Sequence, residues 1–319
     1  MPNLCALSPT ICPTICPTTS PAPHTASNAG KARRAVIASL IGLTLLAGCA
    51  SVPPPIAPKP PLTLTPARID ALLASPDRSE ADRTNDPLRK SAQMLAFIGI
   101  RPGMVALDLS AGGGYTTELL ARAVGPEGEV YGQSAPRSNR PAPAQPEGGE
   151  ALAAPTSARP ATPAAPPRSS AMAVTARADK LKGTTTAANI AAIVQPFEDP
   201  VPPGRIKAGL DLVTLMFNYH DLGHMGVDRA RMNAAVFAAL KPGGIYVIAD
   251  HAGRAGTGIS EAGTLHRVEE AFLRAEVERA GFKLAAEGQF LRNPNDPRDR
   301  NTPEPAQPKD EFVLKFVKP

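Results

Sequence analysis

Ten residues, Val105 to Gly114, constrain the fold more than any other stretch of the chain. Their sequence, VALDLSAGGG, predicts a short buried strand that ends near Asp108, and its three glycines precede a helical pattern that begins at Tyr115. Glycine lets the backbone turn tightly and pass close to a ligand, and the first helical turn directs N–H groups to the same place. The stretch therefore predicts a nucleotide-type site at the carboxyl end of a strand, with a ligand-free glycine turn as the alternative.

The spacing of the glycines distinguishes two classes of cofactor. A dinucleotide-binding loop has the pattern G-x-G-x-x-G, but Thr117 stands at its third glycine position, and the next strand ends in Gln133 instead of an acid. The frame D-x-G-x-G-x-G fits better with one glycine replaced by serine, and its positions are Asp108, Ser110, Gly112 and Gly114. This frame resembles the first motif of class I S-adenosylmethionine-dependent methyltransferases.

Proline content separates the folded part of the chain from the rest. Of the 37 prolines, 22 fall in residues 1–68 and 134–178, which predicts that both regions lie outside the packed core. We expect one folded domain over residues 69–319, with a disordered, low-complexity insertion at 134–178. Beyond residue 68 the chain has 29 basic and 29 acidic residues and no Trp, which disfavours a nucleic-acid partner.

The first 68 residues resemble the leader of a bacterial lipoprotein. Three basic residues precede the apolar run Ala35 to Ala47, and Leu46-Ala47-Gly48-Cys49 resembles a lipobox. We predict a signal peptide over 1–48, a lipid anchor on Cys49 and a proline-rich tether over 49–68. The location expected is the cell envelope, facing the periplasm; an uncleaved membrane anchor, or a cytoplasmic protein whose leader is not used, is the alternative. All four cysteines lie in this leader, so the folded part needs no disulfide and no Cys metal site.

Hydrophobic periodicity predicts alternating strands and helices in the folded part. Residues 69–99 are expected to be helical, with a second helix that begins at Pro87 and buries Leu88. The elements expected after the glycine loop are a helix Tyr115 to Val124, strands Gly128 to Gln133, Ile190 to Val194 and Leu210 to Phe217, a helix Asp228 to Leu240, a strand Ile245 to Ala249, a helix through Leu265, Val268, Phe272 and Ala275, and strands Phe282 to Leu291 and Phe312 to Val317. The strand–helix–strand order predicts a parallel sheet.

Three motifs extend the resemblance over roughly residues 76–319. The segments AGGGYTTELLARAVGPEGEVY, NYHD and LKPGGIYVIADH are similar to a bacterial group of predicted methyltransferases. The resemblance implies a doubly wound, seven-stranded and mostly parallel α/β sheet with a reversed final strand. It implies S-adenosylmethionine as the cofactor, with its methionine end held by Asp108, Ser110, Gly112 and Gly114. Gln133 takes the place of the acid that clasps the ribose, and Glu198 and Asp199 stand near the place of an adenine-binding acid.

Candidate catalytic residues follow the fourth and fifth strands, whose carboxyl ends meet at the cofactor crevice. Asn218-Tyr219-His220-Asp221 directly follows the fourth strand, and His251 follows Asp250 at the end of the fifth. We predict His220 as a base oriented by Asp221, with His251 as the second choice. Each of these histidines can equally be a structural residue. A metal bound by His220 and His224 is a weaker alternative, because nearby glycines disfavour the helix that such spacing needs, so we predict no metal.

Two functions follow from these patterns. The first is an enzyme that transfers a methyl group from S-adenosylmethionine to a small or lipid-like acceptor. The second is a non-catalytic envelope lipoprotein that retains the methyltransferase fold as a binding module. Ser110 and Gln133 depart from the family pattern and favour the second, whereas the glycines and the histidine-bearing loops favour the first.

Overall fold

Seven strands form one mixed sheet in the computed structural model, which describes residues 63–136, 169–184, 189–201, 204 and 209–319. The strands are β1 (Val105–Leu109), β2 (Glu129–Ser134), β3 (Asn189–Val194), β4 (Leu210–Met216), β5 (Leu240–His251), β6 (Lys283–Gly288) and β7 (Glu311–Val317). Their order is β3-β2-β1-β4-β5-β7-β6, and every neighbouring pair is parallel except the two that β7 forms with β5 and β6. The predicted fold class is confirmed.

Helices cover both faces of this sheet. Those of the described residues are α1 (Pro66–Leu73), α2 (Glu80–Arg89), α3 (Ser91–Ile98), α4 (Tyr115–Val124), α5 (Ser170–Leu181), α6 (Tyr219–His224), α7 (Arg229–Ala239), α8 (Ala262–Leu265) and α9 (Glu270–Arg279). Successive residues of a strand point to opposite faces, so Ala106 packs with α1, α3 and α4, whereas Leu107 packs with α6, α7 and α9. Each fully buried leucine contributes about 1.5–3 kcal/mol of transfer free energy. The sheet therefore has a separate apolar core on each side.

The N-terminal helices begin at residues other than those predicted. Thr65 caps α1, which starts at Pro66, so the helix includes the end of the segment predicted as a tether. Ser79 caps α2, and Pro87 lies inside that helix instead of opening one. Leu88, expected on a buried face, is 70% exposed. The hydroxyl caps fix where these helices start, with Pro66 in the first turn of α1 and Pro87 in the interior of α2.

Helix α5 occupies part of the segment predicted as a disordered insertion. Its Val174 is 1% exposed, and the helix packs closely on the glycine loop. A Cβ added at Gly114 would lie 2.8 Å from Cδ of Arg177, so this approach needs glycine. The prediction of disorder was therefore wrong for Ser170 to Ala178, where the helix forms the crossover between β2 and β3. Residues 137–168 of the insertion lie outside the described residues.

The helix predicted through Leu265, Val268, Phe272 and Ala275 is two helices. His266 ends α8 with a left-handed φ of +51°, and Val268 instead forms a β-bridge to Ala252. This break carries His266 to the edge of the sheet where the candidate site lies.

The signal peptide, the lipobox and Cys49 fall outside the described residues and stay predictions. Among the residues that the structure does describe, none of the helices has the length and apolar character needed to cross a membrane.

Candidate active site

The loop between β1 and α4 follows a left-handed path. The angle φ is +55° at Ser110, +53° at Gly112 and +77° at Gly114. Ser110 adopts a left-handed conformation that usually favours glycine, and two hydrogen bonds hold it there. Its N–H donates to Oε1 of Gln133 at 2.9 Å, and its Oγ donates to Oδ1 of Asn218 at 2.6 Å. The serine thus keeps the path of the loop and ties it to the segment after β4.

Asp108 is buried beneath this loop. Its carboxylate accepts hydrogen bonds from the hydroxyls of Thr117, at 2.6 Å, and Thr214, at 2.8 Å. Burial raises the pKa of Asp108 to about 6, although the two hydroxyls oppose the change. The residue joins β1 to α4 and β4, which holds the glycine loop in place.

A cavity of about 230 Å³ lies against the loop. Gly112 and Gly113 expose their backbone to it, and a Cβ added at Gly113 would meet no atom within 4 Å. The facing wall is mostly apolar, with Met94, Leu95, Ile98, Met216 and Phe217, and its polar groups are those of Asn85, Arg89, Ser91 and Tyr115. The open glycine backbone, the start of α4 and a cation suit an amino-acid carboxylate. The apolar wall suits a thioether chain, so these residues fit the methionine half of S-adenosylmethionine.

The residues expected at the adenosine half lie outside this cavity. Gln133 is fully buried, and its amide is engaged at both ends, since its Nε2 donates to the carbonyl of Gln195 at 2.6 Å. Glu198 accepts a hydrogen bond from the backbone N–H of Asp228 at 3.1 Å, and Asp199 is exposed. In this arrangement the buried Gln133 acts as a structural tie between the ends of β2 and β3 and does not line the cavity.

A second cavity, of about 830 Å³, adjoins the first and shares Asn85 and Arg89 with it. Its lining includes the basic residues Arg89, Lys90, Arg292 and Lys309. Arg292 is paired with Glu270 and Asp310. The other three have no carboxylate in salt-bridge contact among the described residues. The second cavity therefore carries excess positive charge.

His220 lies between two carboxylates at the edge of the sheet. Its Nδ1 is 2.6 Å from Oδ1 of the fully buried Asp250, and its Nε2 is 3.2 Å from Oδ1 of Asp221. Burial alone would lower its pKa, but the two carboxylates outweigh burial and raise the pKa to about 9. Both ring nitrogens are thus engaged, which leaves His220 without a nitrogen that is free to accept a proton.

Asp221 connects this histidine to other residues. Its Oδ1 is also 3.2 Å from Nδ1 of His266, and its Oδ2 accepts from Nδ2 of Asn218 at 2.8 Å. Asn218 in turn accepts from Ser110, so a continuous chain of contacts runs from the glycine loop to the histidines. His224 is exposed and takes no part, because it lies against α8 near Gly263.

His251 lies beside His220 in a different environment. The centroids of the two rings are 5.5 Å apart, and His251 lines the second cavity. Its Nδ1 is 2.8 Å from Oε1 of Glu311 but makes no hydrogen bond there, since the contact is poorly aligned. Burial lowers the pKa of His251, although Glu311 opposes the change. This histidine is neutral near pH 7 and faces a cavity, so the second choice for a base fits the geometry better than the first.

Three residues of this region were not predicted from the sequence. His266 stood in a predicted helix, where its left-handed backbone was not visible. Arg89 was part of a predicted helix as well, yet it stacks over the ring of Phe217 at 4.1 Å between the two cavities. Asn218 was noted only as part of the NYHD motif. Two features of the sequence could have pointed to these residues: the histidine of the NYHD motif and the adjacent pair His266-Arg267.

The sheet order and the reversed β7 define the protein as a Rossmann-like α/β protein with the class I methyltransferase arrangement. No protein-family model matches the sequence, and no curated protein matches it.

Solved structures resemble it distantly. A SAM-dependent methyltransferase from Aquifex aeolicus is 15% identical, with 80% of this chain and 100% of that chain covered and a TM-score of 0.45. An arsenic(III) S-adenosylmethionine methyltransferase from Chlamydomonas reinhardtii is 18% identical, with 69% and 64% covered and a TM-score of 0.43. The cyclase SpnF is 14% identical, with 77% and 86% covered and a TM-score of 0.46. Similarity this distant says nothing about activity, and one of the three is named as a cyclase.

Proposed function

We propose that the protein transfers a methyl group from S-adenosylmethionine to a small or lipid-like acceptor that carries negative charge. The observation that supports this most is the pair of adjoining cavities, one on the glycine loop and one lined by cations, which share Asn85 and Arg89. A donor site and an acceptor site must meet for a direct transfer, because the reacting atoms have to approach in line.

The first cavity is the proposed cofactor site. The backbone of Gly112 and Gly113 and the start of α4 receive the carboxylate, with Arg89 on the facing wall. When bound, the cofactor supplies a methyl group on a positively charged sulfur. Asp108 holds the loop through Thr117 and Thr214, and it contributes the position of the loop more than a direct contact.

The second cavity is the proposed acceptor site. Arg89, Lys90 and Lys309 attract an anionic group, and Pro87 and Leu88 add an apolar rim that suits a lipid-like molecule. His251 lines the same cavity, so its imidazole ring is placed to take a proton from an acceptor hydroxyl or amine as the methyl group arrives. Asp250 positions the neighbouring His220 and also accepts from the backbone N–H of His251 at 2.7 Å.

Calorimetric titration of the full chain with S-adenosylmethionine tests the cofactor site. We expect micromolar binding by the wild type and its loss in Gly113→Leu. A Cβ at Gly113 would meet no atom within 4 Å, so we expect the variant to fold, and we expect its longer side chain to extend into the cavity that this residue lines. Gly113→Ala is the matched control, and a moderate weakening is expected because its side chain is smaller. Equal binding by Gly113→Leu and the wild type would place the cofactor elsewhere.

A second candidate is the non-catalytic envelope lipoprotein. The engaged amide of Gln133 favours it, because the ribose then lacks its usual polar partner. This candidate predicts cofactor binding weaker than micromolar in a folded sample, and no formation of S-adenosylhomocysteine with any cell fraction.

For location, we propose a lipoprotein anchored in the cell envelope through Cys49. Metabolic labelling with a palmitate analogue is expected to mark the wild type and Cys16→Ala, but not Cys49→Ala. Label retained in Cys49→Ala would contradict the anchor, and an unlabelled wild type would favour a protein whose leader is not used.

A further inference from the structure

We propose that His220, Asp221 and His266 bind a divalent transition metal, most suitably Zn²⁺, beside the proposed acceptor site. One ligand atom from each residue lies within 4.8 Å of the other two, and Oδ1 of Asp221 contacts both Nε2 of His220 and Nδ1 of His266. The sequence predicted no metal, and its alternative pair of His220 and His224 is not the one that the fold brings together. Metal binding itself is independent of the proposed methyl transfer.

The separations suit one ion held by all three atoms. Oδ1 of Asp221 is 3.2 Å from Nε2 of His220 and 3.2 Å from Nδ1 of His266. Ligand atoms of a tetrahedral zinc ion, with bonds of about 2.0–2.1 Å, are about 3.3 Å apart. Small movements of the two imidazole rings, with release of the proton on Nε2 of His220 to solvent, would therefore allow coordination.

The surrounding groups orient the ligands as in known metal sites. Ligating histidines usually donate their other ring N–H to a carboxylate, and Nδ1 of His220 lies 2.6 Å from Oδ1 of the buried Asp250. That bond presents Nε2 to the metal. The other oxygen of Asp221 accepts from Nδ2 of Asn218 at 2.8 Å, which leaves Oδ1 for the ion. Two of the three ligands thus have an outer partner already in place.

The third ligand is held by its backbone. His266 has φ of +51°, a conformation that non-glycine residues seldom adopt and that often marks functional positions. The adjacent Arg267 is fully buried, donates to the carbonyl of Ala252 at 3.0 Å and pairs with Asp296. This anchor fixes the end of α8 against β5 and keeps His266 near Asp221.

Two imidazoles and one carboxylate suit zinc and the neighbouring first-row metals, and they leave at least one coordination position open. The site is open to solvent on one side, since the side chain of His266 is 41% exposed and that of Asp221 is 29% exposed. The three ligands lie beside the proposed acceptor cavity and do not line it, so the open position is left to water, whose pKa the ion would lower.

Titration of the full chain with Co²⁺ and with Zn²⁺ tests the site, followed by absorption spectroscopy and calorimetry. We expect one ion per chain at this site and cobalt bands typical of nitrogen and oxygen ligands. Because the leader contains Cys5, Cys12, Cys16 and Cys49, all four are changed to serine in the protein used, which removes thiolate binding.

Three variants locate the ion. His266→Ala and Asp221→Asn are expected to weaken binding by roughly a hundredfold or more, and Asp250→Asn, which alters an outer partner, by about 10–100-fold. His224→Ala is the matched control, since His224 is exposed, lies on the same short helix and belongs to no contact of the cluster; it should bind as the wild type does. Thermal unfolding of each variant checks that it is folded.

Two outcomes would contradict the proposed metal site. A folded wild type that binds neither metal at micromolar concentration would show that the three residues form only an ion-paired cluster. Equal affinity in His266→Ala and the wild type would show that the ion binds elsewhere. Titration with S-adenosylmethionine in the absence of metal separates this result from the proposed function, because the cofactor cavity includes none of the three ligands.

Discussion

The glycine-loop side and the histidine side of the sheet edge are built by opposite means. The loop is a run of consecutive residues, Asp108 to Gly114, and its shape comes from left-handed backbone angles. The histidine side joins residues far apart in sequence, since Asp221 contacts His266 across 45 positions and His220 contacts Asp250 across 30. A ligand site formed by the backbone of consecutive residues can be predicted from a local sequence motif. A site formed by side chains that are far apart in sequence can be identified only once the fold is known.

The carboxylates of the two sides also differ. Asp108 is buried with hydrogen-bond partners from Thr117 and Thr214 but no cation, and burial raises its pKa. Burial would likewise raise the pKa of Asp221, but hydrogen bonds from His220 and His266 outweigh it and lower the pKa. The histidine side is therefore stabilised by paired charge, and the glycine side carries an uncompensated carboxylate.

The largest effect is expected on activity, at the histidine side. His251→Gln removes the proposed proton acceptor without touching the cofactor cavity, so turnover should fall by roughly 10²–10⁴-fold while cofactor affinity is unchanged. Formation of S-adenosylhomocysteine with soluble and membrane fractions as the acceptor source measures this. His224→Gln serves as the control. Unchanged turnover in His251→Gln would exclude this histidine as the base.

The next largest effect is expected on the free energy of unfolding, at the buried ion pair that supports the histidine side. Arg267→Ala leaves the carboxylate of Asp296 buried without its cation, since the side chains of both partners are fully buried and lie 2.8 Å apart. The free energy of unfolding should fall by about 3–5 kcal/mol, measured by urea denaturation. Arg274→Ala breaks a surface pair with Glu278 and should cost at most about 1 kcal/mol. Similar losses in the two variants would argue against a buried anchor.

His266 and Arg267 show what could not be predicted from the sequence. The strands, the glycine loop and the helix Tyr115–Val124 follow from periodicity and motif spacing alone, and the structure has them nearly as predicted. His266 and Arg267 were assigned to a helix because neighbouring apolar residues fit its period, while the break depends on the bridge between Val268 and Ala252. Helix α5 was missed because it directly follows a proline-rich stretch with which it shares alanine and serine, and because its partner Gly114 lies far away in sequence.

A smaller effect is expected at the glycine side, where a substitution should raise the free energy of unfolding instead of lowering it. Between the ordinary pKa of 3.8 and about 6, folded Asp108 holds a proton that the unfolded chain has lost. The stability of the wild type should therefore decrease as pH rises through this window, by up to roughly 3 kcal/mol. Asp108→Asn removes this dependence and should be more stable than the wild type at pH 7. Parallel pH profiles of urea unfolding for both proteins would contradict the uncompensated carboxylate.

The smallest effect tests whether the two sides act together. Ser110→Ala loses the hydrogen bond to Asn218 but keeps a left-handed backbone, so it should cost about 1 kcal/mol of unfolding free energy. Ser110→Gly loses the same bond yet relieves about 1 kcal/mol of backbone strain, so it should be close to neutral. This pair of variants separates the hydrogen bond from the conformation.

A double-mutant cycle between Ser110→Ala and Asn218→Ala then measures the link itself. Because Asn218 also donates to Asp221, a coupling energy of about 1 kcal/mol would mean that the glycine loop and the histidine cluster share one hydrogen-bonded network. A ligand that reorders the loop would then shift Asp221 as well. A coupling energy near zero would mean that the two sides are independent, and that only the shared wall of the cavities joins donor and acceptor.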